Sequence, residues 1–292
     1  MKNLRLFVQA CFAALTNGYV RGFAQGKIYE GSLKLLCVPG LNCYSCPGAV
    51  GSCPIGSLQA VLGSRGRQFS FYALGFLIAF GAFFGRFVCG WLCPFGLLQD
   101  LLHKIPFPKK MKKLPGDRFL LCIKYLLLIF FVILFPIFLV NPLGMGDPTF
   151  CKYICPAGIL FGGIPLSVAD EGIRAAAGNL FLWKSGILIV VILGSIIVYR
   201  PFCRYLCPLG AIYGLFNPIA MLRYEVDQSK CIDCGKCKSV CPMDIDLHKE
   251  PNSRLCVRCG KCKQGCPTGA IINPVLQTMH KYRSYHTEKQ ED

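Results

Sequence analysis

Residues 231–242 of the chain are CIDCGKCKSVCP, and residues 256–267 are CVRCGKCKQGCP. Both stretches space their cysteines as C-x2-C-x2-C-x3-C and place a proline after the last one. Gly235 and Gly260 follow the second cysteine of each stretch, where glycine lets the backbone turn close to a bound group. The two matching copies indicate that this part of the chain folds around bound metal.

The spacing predicts two [4Fe–4S] clusters. It is the spacing of bacterial ferredoxins, in which one loop supplies three thiolates to a cluster and the fourth cysteine ligates the other cluster. Zinc is the alternative for C-x2-C pairs, but two complete repeats that each end in Cys-Pro favour clusters. We predict an α+β ferredoxin domain over residues 220–275 and a tail over 276–292. One ligand set is Cys231, Cys234, Cys237 and Cys266, and the other is Cys256, Cys259, Cys262 and Cys241.

The composition indicates a membrane protein. The chain is 53% hydrophobic and 16% charged, with a mean hydropathy of +0.47, whereas soluble domains carry about 25% charged residues. The runs 69–88, 119–140 and 180–199 are long enough to cross a bilayer, and 4–24 is a weaker first span, with an interfacial helix as the alternative. We predict an α-helical domain over 1–219 with about four transmembrane helices and no removable signal peptide. Long side chains near the span ends are expected to reach the interface; they are Arg86, Lys124 and Lys184.

The basic residues predict the orientation. A short connector, 94–118, holds the densest basic segment of the chain, and such loops lie in the cytoplasm. We therefore expect a multi-pass protein of the inner (cytoplasmic) membrane, with both termini and the ferredoxin domain in the cytoplasm and the connectors 25–68 and 141–178 outside. The net charge of +17 would suggest nucleic acid in a soluble protein, but its placement beside apolar spans favours lipid contact and no nucleic-acid partner.

An internal repeat follows from this arrangement. The tetrapeptide Cys-Pro-x-Gly occurs at 53–56, 93–96, 155–158 and 207–210. The first and third copies precede predicted spans two and four on the outer side, and the second and fourth follow the same spans on the inner side. The membrane domain is therefore predicted to contain two related units.

Two cysteine pairs lie at the inner ends of predicted spans two and four. Cys89 and Cys93, like Cys203 and Cys207, are four residues apart, which places both thiols of a pair on one face of a helix end. Two facing pairs offer four ligands, and we predict a third [4Fe–4S] cluster or a comparable metal site there. The alternative is that these cysteines are small core residues.

The outer connectors carry six further cysteines, and we predict that four of them hold a fourth cluster. Disulfides are the alternative, since they persist outside the cytoplasm. The separation of Cys43 and Cys46 is too short for a relaxed bridge and favours a ligand pair. Sites on opposite faces of a core about 30 Å thick exchange electrons slowly, so either the sites dip into the membrane or something else fills the gap. The six residues are Cys37, Cys43, Cys46, Cys53, Cys151 and Cys155.

Over residues 70–270 the chain resembles the NapH/NosR-type family of membrane polyferredoxins. The resemblance is carried by the motifs Cys89–Pro94 and Cys203–Pro208 followed by the module 231–267. It implies electron transfer between the quinone pool and redox partners, and thus the electron-transfer subunit of an oxidoreductase such as a quinol dehydrogenase. The six outer cysteines depart from the simplest pattern of the family.

The predicted function is electron transfer between a cytoplasmic or quinol donor and a membrane or extracytoplasmic partner. The alternative is an assembly factor whose clusters reduce a metal or thiol while another metalloenzyme matures. No catalytic residue is predicted. The partners expected are membrane lipid, a quinone, and a ferredoxin, flavodoxin or flavoprotein. Basic residues beside the cysteine loops would steer an acidic partner, or form a solvated face near anionic lipid; they are Lys236, Lys238, Arg258, Lys261 and Lys263.

Overall fold

The structure, a computed structural model, describes residues 2–64, 71–139, 146–175 and 177–275. The predicted tail 276–292 and the ends 69–70 and 140 of two predicted spans lie outside these residues. The described part is mostly helical. Its helices are α1 (Lys2–Thr16), α2 (Val20–Gln25), α3 (Pro54–Leu62), α4 (Phe71–Phe84), α5 (Phe87–Trp91), α6 (Pro94–Lys104), α7 (Asp117–Phe138), α8 (Thr149–Tyr153), α9 (Pro156–Ala169), α10 (Glu171–Ala175), α11 (Asn179–Ile197), α12 (Pro208–Phe216), α13 (Lys236–Ser239) and α14 (Lys261–Gly265). A 3-10 turn at Ser32–Leu35, a π-helical turn at Phe202–Leu206 and the strands β1 (Glu225–Val226) and β2 (Ile271–Ile272) complete it.

Two of the described helices are long and apolar enough to cross a membrane. They are α7, with 22 residues, and α11, with 19, and their mean hydropathies are 2.7 and 2.3. They correspond to predicted spans three and four. The first predicted span is interrupted between α1 and α2, and the second ends at Phe84, before Gly85 takes up a φ of 52°. The arrangement with four spans therefore stays a prediction.

All four copies of Cys-Pro-x-Gly have the same local structure. The cysteine is extended, and the proline is the first residue of a helix, at the start of α3, α6, α9 and α12. Proline suits this position because its fixed φ is helical and a first-turn N–H needs no intrahelical partner. Each motif cysteine therefore lies at a helix start, with its thiol free to face a neighbouring element.

The helices that follow the Cys-Pro pairs pack back onto the long helices. The helices α6 and α9 pack beside α11, while α12 contacts α4 and α7. Their apolar side chains form one continuous buried core, in which Phe95 contacts the rings of Phe202 and Phe161 at centroid distances of 5.1 and 6.3 Å. This packing brings the cysteine-bearing connectors of both predicted sides into one core.

The C-terminal part is a small α+β unit. The strands β1 and β2 pair antiparallel, with Glu225 opposite Ile272 and Val226 opposite Ile271. The short helices α13 and α14 pack together, each preceded by a glycine with left-handed backbone, Gly235 at φ 65° and Gly260 at φ 79°. Few other residues adopt this conformation without strain, so these glycines direct each cysteine loop into its helix.

Candidate metal centres

The second cysteine loop gathers the four thiols of one predicted set. Burial raises the pKa of Cys262 to about 12, and the nearby thiols of Cys256, Cys259 and Cys241 contribute to the rise. The sulfur of Cys241 also accepts a hydrogen bond of 3.4 Å from the backbone N–H of Ile245. The fourth cysteine of the first copy therefore lies with the three cysteines of the second copy.

The other predicted ferredoxin set lies at the protein surface. Cys231, Cys234, Cys237 and Cys266 line one cavity of about 260 Å³. Cys234 is exposed, and the neighbouring Ile232 is 64% exposed. This site is therefore open to a partner from solvent.

The inner cysteine pairs converge in the interior. Burial raises the pKa of Cys207 well above its usual value, and the thiols of Cys203, Cys89 and Cys93 raise it further. None of the four is more than 5% exposed. The end of α5, the start of α6 and the π-helical turn with the start of α12 therefore place four thiols around one buried point.

Two arginines connect the inner cysteine pairs by hydrogen bonds. Arg86 and Arg200 each stand three residues before the first cysteine of a pair, and both are fully buried. Arg86 donates a hydrogen bond of 2.7 Å to the carbonyl of Cys203, and Arg200 donates to the carbonyl of Cys89. Each arginine thus fixes the backbone of the opposite pair.

Four of the six outer cysteines also converge. Burial raises the pKa of Cys155 to about 12, and the thiols of Cys43 and Cys53 contribute. The thiols of Cys155, Cys53 and Cys43 likewise add to the effect of burial on Cys151, whose pKa is well above its usual value. The structure therefore brings the thiols of Cys43, Cys53, Cys151 and Cys155 together.

The two remaining outer cysteines bond elsewhere. The thiol of Cys37 donates to Ser57 Oγ at 3.5 Å, and that of Cys46 donates to Asn17 Oδ1 at 3.6 Å. No disulfide joins any of the twenty cysteines, all of which lie in the part of the chain that the structure describes. The predicted pairing of Cys43 with Cys46 as joint ligands is thus not the arrangement found, because Cys46 turns its sulfur away towards Asn17.

Cations hold the outer motifs in the same way as the inner ones. Ala49 precedes Cys53 by four residues, the spacing at which Cys89 precedes Cys93. Lys34 donates to the carbonyl of Ala49 at 2.7 Å, and Lys184 donates to that of Cys151 at 3.1 Å. In all four motifs a cation therefore holds the carbonyl four residues before the motif cysteine.

This finding corrects the expectation that charges near the span ends reach for the membrane interface. Arg86 is fully buried, Lys124 is 1% exposed, and Lys184 bonds to the outer motif. Arg86 and Lys184 turn inward because backbone carbonyls around the thiols offer hydrogen-bond partners that lipid does not. The ammonium of Lys124 instead lies 5.1 Å from the centre of the Tyr125 ring. One feature of the sequence indicated a role for the arginines at the cysteine motifs, because Arg86 and Arg200 each precede a Cys-Pro by seven residues.

The inner and outer sites lie close together. Burial raises the pKa of Tyr213, and the thiols of Cys89, Cys53 and Cys93 add to the effect, so Tyr213 lies within electrostatic reach of both sets. Its hydroxyl donates to the carbonyl of Pro39 at 3.1 Å, and an added Cβ on Gly40 would lie 3.0 Å from Cys93 Cα. The loop that carries the outer cysteines thus packs against the inner site, and the two are not separated by the thickness of a bilayer core.

The donor sets suit iron–sulfur clusters. Thiols that are buried side by side stay protonated unless a positive partner stabilises the thiolates, and four cysteine thiolates are the usual ligands of a [4Fe–4S] cluster. Within the described ranges, no group of three or more His, Cys, Asp or Glu side chains closes around a single metal ion. Four thiolates grouped in this way would hold a [4Fe–4S] cluster, which would supply one-electron chemistry.

Arg258 has a role that differs from the predicted one. It is 2% exposed and donates to the carbonyls of Phe84 at 2.8 Å and Asn217 at 2.7 Å. It therefore attaches the ferredoxin loop to the helical domain and is not available to steer a partner. Lys261 is also engaged, since its ammonium lies 5.5 Å from the centre of the Tyr199 ring.

Comparison with known families finds two profiles that describe [4Fe–4S] binding. A family profile described as "4Fe-4S binding domain" matches residues 67–115, 125–166 and 181–223. A second profile with the same description matches 224–245 and 250–272. The first covers the Cys-Pro motifs at Cys93, Cys155 and Cys207, and the second covers both ferredoxin loops.

Several curated proteins are similar to the chain. The uncharacterised protein MJ0750 of Methanocaldococcus jannaschii is 30% identical over 166 residues, which is 56% of this chain and 61% of that protein. The ferredoxin-type protein NapH of Haemophilus influenzae is 25% identical, over 57% and 51%. The methylamine utilization ferredoxin-type protein MauN of Methylobacillus flagellatus is 27% identical, over 58% and 51%. The matches thus span half to three fifths of these relatives. No solved structure matches the chain.

The fold, the thiol groups and these similarities define a class of protein. The chain is an iron–sulfur protein that binds several [4Fe–4S] clusters. Within that class it belongs to the NapH-type polyferredoxin family.

Proposed function

We propose that the chain conducts electrons through a row of four [4Fe–4S] sites that leads from the surface of the ferredoxin domain into the membrane domain. When bound, such clusters take up and release single electrons, and their surroundings set the reduction potential. The order of sites is the surface ferredoxin site, the second ferredoxin site, the inner site and the outer site. Their ligand sets are Cys231, Cys234, Cys237 and Cys266; Cys256, Cys259, Cys262 and Cys241; Cys89, Cys93, Cys203 and Cys207; and Cys43, Cys53, Cys151 and Cys155.

The observation that carries the proposal is the contact between the second ferredoxin loop and α5. The carbonyl of Val257 lies so close to Gly90 that an added Cβ there would clash with it. The indole N–H of Trp91 donates to the carbonyl of Arg258 at 3.1 Å. Val257 follows the ligand Cys256, and Gly90 follows the ligand Cys89. One backbone contact therefore joins the second ferredoxin site to the inner site.

A second set of contacts supports the continuity of the row. Arg86 donates to the carbonyl of Arg254 at 3.1 Å, and Arg204 donates to that of Met243 at 2.9 Å. Both arginines are nearly fully buried. Arg86, which bonds the inner site, thus also forms a hydrogen bond with the ferredoxin domain. This favours a fixed distance between the two sites over a flexible connection.

We further propose that the ferredoxin domain faces the cytoplasm in a multi-pass membrane protein. The basic connector between α6 and α7 is the segment most typical of a cytoplasmic loop. Its Lys112 donates to the carbonyl of Ser239 at 3.1 Å, and its Lys113 lies 3.3 Å from the carboxylate of Asp244. Connector and ferredoxin domain therefore share a side, which supports this orientation.

The surface site favours an acidic redox partner. Three lysines, Lys236, Lys238 and Lys249, line the cavity of this site together with Asp233 and Asp246. Lys238 pairs with Asp246 at 3.6 Å, whereas Lys236 and Lys249 form no ion pair with any residue that the structure describes. A positive rim of this kind attracts an acidic flavodoxin, ferredoxin or flavoprotein. The other end of the row lies in the membrane domain, where a quinone or a membrane-bound partner exchanges electrons with it.

The test is anaerobic purification of the full chain with counting of iron and sulfide and redox-titrated EPR. We expect about 16 iron atoms per chain, four for each cluster. Cys203→Ser should remove the inner cluster and Cys151→Ser the outer one, each with about four irons, while the ferredoxin signals persist. Iron content and spectra identical to those of the wild type in both variants would refute the two buried sites.

A further inference from the structure

Each buried site contains one fully buried glutamine. Gln59 and Gln99 are both 0% exposed, and each is the sixth residue after a motif cysteine, Cys53 or Cys93. The same position after the third and fourth motif cysteines holds an aromatic residue instead. Each site thus receives one glutamine, from the first unit of the repeat.

The two glutamines make the same bonds. Gln59 Nε2 lies 3.2 Å from Cys151 Sγ, and Gln99 Nε2 lies 3.1 Å from Cys203 Sγ. The amide oxygens accept hydrogen bonds from the backbone N–H of Phe150 at 3.1 Å and of Phe202 at 3.2 Å. In both sites a glutamine of one unit bonds the first cysteine of the other unit and the residue before it.

The backbone bond fixes the orientation of each amide. A backbone N–H can only donate, so the amide atom that faces it must be oxygen. The NH₂ group of the same amide therefore points at the sulfur, and a thiolate can only accept. The arrangement is thus complementary to a sulfur that carries negative charge.

We propose that Gln59 and Gln99 are equivalent positioning residues that raise the reduction potentials of the outer and inner clusters. A hydrogen bond to a ligand sulfur stabilises the more negative, reduced cluster and so shifts the potential upward. A neutral amide achieves this without placing another charge in a buried site. This inference rests on the cluster sites of the proposed function.

The experiment compares Gln59→Met and Gln99→Met in the full, anaerobically purified chain. Methionine keeps the length and bulk of the side chain but cannot donate. Each variant is the matched control for the other, because Gln59 bonds a sulfur of the outer set and Gln99 bonds a sulfur of the inner set. Redox-titrated EPR should show a lower midpoint potential for the inner cluster in Gln99→Met and for the outer cluster in Gln59→Met, while the potential of the other buried cluster stays unchanged in each variant. Unchanged potentials with all clusters present would overturn the inference.

A measurement on the wild type covers the case in which a methionine variant loses its cluster. Chains that carry ¹⁵N at the glutamine amide should show a ¹⁵N coupling in the pulsed EPR spectrum of each reduced buried cluster. If the clusters are present but the ¹⁵N coupling is absent, the inference about the glutamines is overturned and the proposed function is unaffected. Absence of the clusters themselves from the wild-type protein would instead refute the proposed function.

Discussion

Replacement of Asp100 by asparagine tests the buried ion pair that supports the inner site. Asp100 is 4% exposed. It receives hydrogen bonds from Arg200 Nε at 2.7 Å, Arg200 Nη2 at 2.6 Å and Arg5 Nη2 at 2.6 Å. Arg200 is fully buried and also donates to the carbonyl of Cys89. The carboxylate therefore neutralises the arginine that positions a cluster ligand.

The expected loss of stability is large. Removal of one partner of a buried pair costs about 3–5 kcal/mol, because the remaining charge stays buried without compensation. Asparagine keeps one acceptor and the size of the side chain, so we expect the lower end, about 3 kcal/mol. At ~2–4 °C per kcal/mol this corresponds to a decrease in Tm of roughly 6–12 °C.

The assay is thermal unfolding of the anaerobic holoprotein in detergent, followed by circular dichroism and by cluster absorbance. Glu171→Gln is the control, since Glu171 is 93% exposed and its partner Arg174 is 60% exposed. An exposed pair of this kind contributes about 0–1 kcal/mol. A Tm of Asp100→Asn that equals that of the control would refute the reasoning, because it would mean that Arg200 needs no counter-charge.

Three further outcomes are expected. Gly90→Ala should slow electron transfer from photoreduced ferredoxin clusters to the inner site, because the added Cβ would clash with the Val257 carbonyl. Gly75→Ala is the control and should leave the rate unchanged, because its Cβ would meet nothing within 4 Å. Equal rates in the two variants would contradict the contact. Cys43→Ser should remove the outer cluster by iron count and EPR whereas Cys37→Ser should not, and the reverse pattern would overturn the ligand set. Burial alone would raise the pKa of Asp100, but Arg200 and Arg5 outweigh it and hold the pKa below its ordinary value, near 3.9. The stability that the ionised Asp100 contributes is then fully present above its ordinary pKa, and it is lost as the pH falls through the lowered pKa of the folded protein. The Tm difference between wild type and Asp100→Asn should therefore be constant from about pH 5 to 8, and a decrease in this range would contradict the assignment.

The ferredoxin sites could be predicted from the sequence because their ligands are local. Three cysteines of each set lie within seven residues, from Cys231 to Cys237 and from Cys256 to Cys262. Glycine supplies the turn in both loops, and proline marks the fourth cysteine. The inner site could be predicted for a similar reason, since its two pairs share a spacing and a predicted depth.

The choice among the outer cysteines could not be predicted. Ala49 stands where the repeat would place the first ligand of its pair. In the proposed outer set this position is taken by Cys43, which lies outside the motif and whose thiol contributes to the raised pKa of Cys155. Which cysteine of this connector supplies the fourth thiol depends on how the connector folds over α3. The cations that hold the outer motifs could not be predicted either, because Lys34 lies 15 residues before the carbonyl that it bonds, whereas Lys184 lies 33 residues after the carbonyl that it bonds. Only tertiary packing brings them to the carbonyls.

The closeness of the inner and outer sites follows from the same repeat. Each Cys-Pro pair begins a helix that packs back into the core, so both sites are drawn towards the interior and away from the two predicted faces. Each buried site takes two thiols from the first unit and two from the second. Neither unit can therefore complete a site by itself. A change in the packing of α6 against α11 would move the inner ligands at the start of α6. It would also move the aromatic core around Phe95, which borders the outer site. We therefore expect the two buried sites to be lost together when the units separate, and the ferredoxin sites, whose ligands all follow residue 230, to persist.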